Sequence, residues 1–341
     1  MNLPLAAPPA PRFKQVLPGV LFALLIGAVA LALTQLAWFQ HAQVSALTLA
    51  IVIGMLIGNS VGPRLPANFA PGIHTAQRTL LRLGVILYGL RISFQQIATV
   101  GPEGLLIDVV IVVGTLLLAG WIGQRWFGID RATSLLTGVG SAVCGAAAVL
   151  ALERILKPEP GKVAIAIATV VLCGTLDIFL YPFLYPYLGM SAHQFGLFTG
   201  ASVHEVAQVV AVGNAIDPAT ADTAVIVKLT RVMLLVPVLF VFGWLESRGS
   251  VDRGGLRAAI PWFAIWFVAV AAFNSVVSLP PTLKDGLLTL DVLILATAMA
   301  ALGLETRWVK IRALGPKPLL LAVVLWFWLI GAAGLMVHAL T

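Results

Sequence analysis

Charge is what this chain has least of. Only 10% of its 341 residues are Asp, Glu, Lys or Arg, against about 25% in a soluble domain. A globule built from it would lack water-facing surface, which excludes a soluble fold. Cysteine is equally scarce: Cys144 and Cys173 both sit in apolar stretches, without the spacing of a disulfide framework or a metal site. No metal or other cofactor is expected. The phosphate-cradling loop of nucleotide hydrolases is missing, so ATP is not expected to drive this chain directly. No His-x-x-x-His box or Asp-rich loop is present either, which argues against a membrane-embedded enzyme. Alternation is absent from runs such as Ile107–Ala119, where a membrane β-barrel would need it.

What is present is apolar. Hydrophobic residues make up 60% of the chain and the mean hydropathy is +1.01. A spanning helix needs roughly 20 mostly apolar residues. Such windows fall near 16–38, 45–61, 72–93, 102–126, 133–151, 162–188, 194–214, 222–244, 257–278, 286–304 and 315–338. The connections are too short for a soluble domain. The expectation is an all-α polytopic membrane protein, one transmembrane domain over 1–341, with 1–15 as a short cytoplasmic tail. The first window follows Arg12 and Lys14 but exceeds the roughly 7–15 apolar residues of a signal peptide, so it reads as a retained helix. The net charge of +7 is not a nucleic-acid footprint. It gathers in short connections, at Arg248, Arg253 and Arg257 and again at Arg307, Lys310, Arg312 and Lys317, as cytoplasmic loops do. The bilayer is the expected partner, and nucleic acid is not.

Two topologies fit. With the N-terminus inside, eleven simple spans leave Arg154, Lys157 and Lys162 outside, against the positive-inside bias. If 133–151 and 194–214 instead dip in and return, every strongly basic connection becomes cytoplasmic, with nine full spans and two re-entrant segments. Re-entrant backbone is tolerated only inside protein or along a wet cavity. The chain also repeats itself. Gly89-Leu90 and Gly101-Pro102 match Gly303-Leu304 and Gly315-Pro316 at one constant offset, in opposite orientations under either topology. Inverted repeats mark secondary transporters, whose substrate site lies at mid-membrane.

Two apolar windows are interrupted by small and polar residues. One reads Thr137-Gly-Val-Gly-Ser-Ala-Val-Cys-Gly145, the other Thr199-Gly-Ala-Ser-Val-His-Glu-Val-Ala-Gln208. A helix opening at either Thr-Gly would aim a half-helix N-terminus, an anion-attracting end, into the membrane. The bland alternative for the first is close helix packing through small residues. The second holds His204, Glu205 and Gln208, which are expensive in lipid and must face protein or water. His204 can change charge near neutrality. Asp108 and Asp177 lie within apolar windows, as do Arg78 and Arg82, four apart, and Lys228 and Arg231, three apart. Four cations against few buried acids predict a positive interior, attractive to an anion.

Several stretches resemble one bacterial family: Leu80-Leu-Arg-Leu-Gly-Val-Ile-Leu-Tyr-Gly-Leu-Arg91, Cys144-Gly-Ala-Ala-Ala148, Gly200-Ala-Ser-Val-His-Glu-Val-Ala-Gln-Val-Val210, Val227-Lys-Leu-Thr-Arg-Val-Met-Leu-Leu-Val-Pro237 and Ala298-Met-Ala-Ala-Leu-Gly-Leu304. They are similar to the YeiH-like membrane proteins that carry a sulfate-exporter label, in order over nearly the whole chain. Ala147 stands where that family more often has serine, which removes one hydroxyl. The resemblance implies the cation/proton antiporter and bile-acid transporter superfamily, with inverted repeats, two discontinuous helices crossing near the centre, and a core that moves against a scaffold. It also implies the bacterial inner membrane.

The combined expectation is a secondary carrier of a small anion such as sulfate, sulfite or a sulfonate. Thr137, Gly138, Gly140, Ser141, Cys144 and Gly145, with Thr199, Gly200, Ser202, His204 and Gln208, would form its cavity. Arg82, Lys228 and Arg231 would offset the anion's charge, and His204, Glu205 and Asp177 would couple proton movement. A proton or sodium antiporter using Glu205 and Asp177 is the rival. A homodimer remains open.

Overall fold

The structure, a computed structural model, describes residues 13–36, 45–246, 262–277, 279–307, 309 and 315–341. Arg12, the connection holding Arg248, Arg253 and Arg257, and the residues Lys310 and Arg312 lie outside them. The described residues are helical or connecting, without strands. In chain order the helices are α1 (Phe13–Leu33), α2 (Ala46–Ser60), α3 (Ala70–Thr75), α4 (Leu81–Tyr88), α5 (Phe94–Arg125), α6 (Arg131–Ala142), α7 (Ala146–Leu156) and α8 (Pro160–Leu188). There follow α9 (Ala192–Ser202), α10 (Val206–Asn214), α11 (Pro218–Met233), α12 (Leu235–Glu246), α13 (Trp262–Val276), α14 (Pro281–Glu305) and α15 (Pro316–Leu340). A π-helical turn, Ala76–Leu80, joins α3 to α4. Among the described residues, six stretches are long and apolar enough to cross a membrane: α1, α5 from Gly101, α8, α11 with α12, α14 and α15.

The chain marks its own helix starts. Ser45, Asp130, Ser191 and Asp217 each accept a backbone N–H of the first turn, from Thr48, Thr133, Gln194 and Thr220, supplying acceptors to otherwise orphaned donors. Proline opens α8, α11, α14 and α15, where its missing N–H costs nothing. The repeat seen in the sequence has a backbone counterpart. Gly101 (φ +59°) and Gly315 (φ +75°) each turn through the left-handed region immediately before the proline of the next span, a conformation that favours glycine. The preceding helices run in opposite senses. Gly84 lies against Ile294 and Leu295, and further along the chain Arg91 reaches back to Asp291 and to the Leu288 carbonyl.

Windows 133–151 and 194–214 are hairpins that enter and leave on one side. Asp130, which begins α6, is 3.3 Å from Lys162 in the first turn of α8, so the 31 residues between them must return to where they started. Within this hairpin Gly140 packs on both Val149 and Val170, a contact that a straight continuation from α6 into α7 could not make. The second hairpin closes likewise. Thr220 of α11 donates to the Ala192 carbonyl at the start of α9 (3.2 Å), and Gly213 at the end of α10 packs on Ala221. The long helix α8 separates the two ways in, so the hairpins enter from opposite faces and meet at mid-depth. Arg125, Arg131, Arg154, Lys157 and Lys162 all fall on the first hairpin's face, which the positive-inside bias makes cytoplasmic. This is the arrangement with two re-entrant segments.

Candidate functional site

The hairpins break at Val143–Gly145 and at Val203–Glu205. They do not open at Thr137-Gly138 or Thr199-Gly200, which stay helical. Those glycines serve close packing instead: Gly138 rests on Ala119, and Gly200 on Ala224 and Val227. Four half-helix ends therefore converge. The carbonyl ends of α6 and α9 face α11, from which two wholly buried cations reach them. Lys228 Nζ donates to Val143 O and, at 2.8 Å, to Val203 O. Arg231 Nε donates to Val143 O at 3.2 Å, its Nη2 to Val203 O at 2.6 Å, and its Nη1 to Ala201 O. Two helix C-termini amount to about one negative charge, which leaves about one positive charge over. Asp108 on α5, also wholly buried, acts electrostatically on both cations.

Beside this clamp, α8 receives the second hairpin. Asp177 Oδ2 lies 3.3 Å from His204 Nδ1, and Trp326 Nε1 donates to the other carboxylate oxygen at 2.5 Å. Tyr181 donates to Ser202 Oγ at 2.9 Å. Gln208 accepts the Glu205 N–H at 2.9 Å. His204 Nε2, Gln208 Nε2 and the hydroxyls of Thr137, Ser141 and Thr199 are buried without a direct hydrogen-bond partner among the described residues.

The amide ends of α7 and α10 look the other way, toward a cavity of about 120 Å³. Its wall is formed by Gln77, Arg78, Arg82, Cys144, Ala146, Ala147, Glu205, Phe263 and Glu305, among others. A second cavity of about 320 Å³ shares Gln77, Ile167 and Glu305 with it and reaches Arg307 toward the basic face. Glu205 is the only residue of 201–210 that is not buried. Its Oε1 accepts the Ala146 N–H at 3.2 Å, on the first turn of α7. Gly145 (φ +70°) makes this approach possible, since a Cβ there would collide with the Glu205 side chain. The π turn sets Arg78 and Arg82 on the same wall, and Arg82 lies over the Phe263 ring at 6.0 Å.

The residues singled out from sequence thus divide. Arg82, Cys144 and Glu205 line the cavity, with Gly145 directly behind Glu205. His204, Asp177, Ser202 and Gln208 are buried along α8, away from its wall. Thr137, Gly138, Gly140, Ser141, Thr199 and Gly200 lie in the packed legs of the hairpins. Lys228 and Arg231 are turned to carbonyls rather than to the cavity. Four acids, Asp108, Asp177, Glu205 and Glu305, accompany the four cations Arg78, Arg82, Lys228 and Arg231 around the junction. Glu305, Gln77, Phe263 and Trp326 were not singled out. Glu305 at the end of an apolar window carried a usable signal, whereas nothing local marks Trp326.

Two re-entrant hairpins facing one another across a buried cationic clamp, inside a bundle of spanning helices, define a polytopic α-helical membrane protein with a discontinuous-helix centre. The family described as "Conserved hypothetical protein 698" matches residues 18–322, and the chain belongs to that family. A UPF0324 membrane protein of Pseudomonas aeruginosa is 46% identical over 336 residues, covering 96% of this chain and 95% of the relative. The UPF0324 inner membrane proteins YeiH of Salmonella typhi and Escherichia coli K12 are each 47% identical, over 331 and 322 residues. They cover 95% and 93% of this chain and 95% and 92% of their own lengths. The protein is a multi-pass protein of the inner membrane.

Proposed function

We propose that the protein is a secondary carrier of a small anion, with sulfate, sulfite and sulfonates as the candidate class. The observation that carries this reading is the cavity wall. Arg78 and Arg82 share with the amide end of α7 the wall of a space of about 120 Å³. Guanidinium groups and a helix N-terminus are the two protein devices best matched to a tetrahedral oxyanion. Discontinuous helices meeting at mid-membrane are the setting in which carriers bind substrate. The cavity's continuation toward the basic face fits a conformation open to the cytoplasm, from which an exporter would load.

The test is uptake of radiolabelled sulfate and sulfite by proteoliposomes, with and without a pH gradient. Saturable flux that disappears in Arg82→Ala is the expected result. A second reading, proton or sodium antiport, is favoured by the buried carboxylates Asp108 and Asp177. It predicts proton movement on adding sodium and no flux of either anion.

A further inference from the structure

The cavity's ionisable wall is Arg78, Arg82, Glu205 and Glu305, two charges of each sign. An anion gains little by entering a neutral space, because its lost hydration must be replaced by a net attraction. The wall's best donor is also already occupied. Glu205 Oε1 accepts the Ala146 N–H, on the helix end that would otherwise receive the ligand. Among the described residues no cation bonds this carboxylate directly: Lys228 and Arg231 are engaged with carbonyls.

We propose that Glu205 is a resident anion in the substrate's seat, and that a small oxyanion binds only as this carboxylate takes up a proton and withdraws from α7. The inference rests on the carrier reading above and specifies its coupling. Protonation removes one negative charge from the wall, leaving a net charge of +1, and it frees the Ala146 amide. The proton comes from the cavity's water and the carboxyl oxygen is its destination; no other bond changes. The groups facing Glu205 are Arg78 and Arg82 from the α3–α4 rod, Glu305 from α14, Cys144 from the first hairpin and Lys228 from α11. His204, beside it in the chain, is turned away onto Asp177. Of these, Glu205 takes the Ala146 N–H and Cys144 lies on the Ala148 N–H, both in the first turn of α7. Its backbone is held independently, through its own N–H on Gln208, so the side chain can leave while the hairpin tip stays.

The experiment uses the full-length protein in detergent in a weakly buffered solution, titrated with sodium sulfate against matched sodium chloride. Calorimetry reads binding and an indicator dye reads protons. The wild type should take up one proton per sulfate bound wherever Glu205 is ionised beforehand. Its affinity should fall about tenfold per pH unit above the Glu205 titration. Glu205→Gln should bind sulfate independently of pH and take up no proton. Binding by the wild type without proton uptake would overturn the inference and leave the carrier reading standing, as would undiminished uptake in Glu205→Gln. No binding of sulfate, sulfite or methanesulfonate would overturn both. The wild-type arm decides the matter even if the variant misfolds.

Discussion

The two sides of the hairpin junction are built from the same parts and treated in opposite ways. On the carbonyl side, the ends of α6 and α9 are tied to Lys228 and Arg231, both wholly buried. On the amide side, the ends of α7 and α10 open on a cavity, and one of the tethers is a carboxylate on a flexible stem. A broken helix in a membrane leaves orphaned groups of both polarities. Here the acceptors are satisfied permanently and the donors provisionally. The first arrangement fixes where the tips meet, and the second leaves a place where something else can bind.

The comparison breaks most severely if a buried cation is removed. Arg231→Met would strip donors from Val143, Ala201 and Val203 and leave Asp108 less compensated, at a cost of about 3–5 kcal/mol. A large fall in the thermal midpoint in detergent should accompany loss of all transport. On the open side the order reverses. Arg82→Ala should reduce anion flux more than tenfold while the midpoint moves little, because Arg82 is exposed on the cavity wall. Proteoliposome flux and melting measured on one preparation would separate the two classes, and a matched loss of stability in Arg82→Ala would erase the distinction. At the boundary, Gly145→Ala should cost about 1–2 kcal/mol and leave anion binding no weaker than in the wild type, since the new Cβ drives Glu205 off the Ala146 amide.

The smallest effect lies at the membrane face. Partial burial pulls the Asp130 carboxyl upward, but the hydrogen bonds from Thr133 and the Lys162 ammonium outweigh it and hold the group below its usual range. A carboxylate with a lowered folded value contributes stability above its unfolded value and loses it as pH falls through the folded one. Asp130→Asn should therefore lower the midpoint slightly at pH 7, by less than about 1 kcal/mol for so exposed a pair. The difference from wild type should vanish in acid.

How much of this was legible in the sequence depends on the range of the interaction. The described parts of the eleven apolar windows are largely helical, because each window is a local property of roughly 20 residues. The two polar-interrupted windows were legible as special for the same reason. Their re-entrance was only one of two options, since the contacts that fix it join Asp130 to Lys162 and Ala192 to Thr220. The break points were misread. Thr-Gly looked like a natural opening, yet Gly138 and Gly200 were needed for helix contact, and the chain opens later at Val143 and Val203. Lys228 and Arg231 read as substrate ligands because their acceptors exist only after two distant breaks meet. Arg82 and Glu205 were legible because a charge inside an apolar window must go somewhere polar.

The closing of each hairpin on its own side also bears on how the chain is made. A full span requires its far connection to be carried through the bilayer by the insertion machinery. The stretch between Asp130 and Lys162 begins and ends at one surface, and so does that between Ser191 and Thr220. Neither has a far connection to deliver. Each can be threaded after α8 is in place, its apolar legs sliding along a helix already seated. Glu205 must travel to mid-depth without a partner on its own hairpin, and its partner, the Ala146 amide, is carried in from the opposite surface. Assembly of the centre is thus a meeting of two late arrivals, and a chain in which either is delayed presents its partner to an empty bundle.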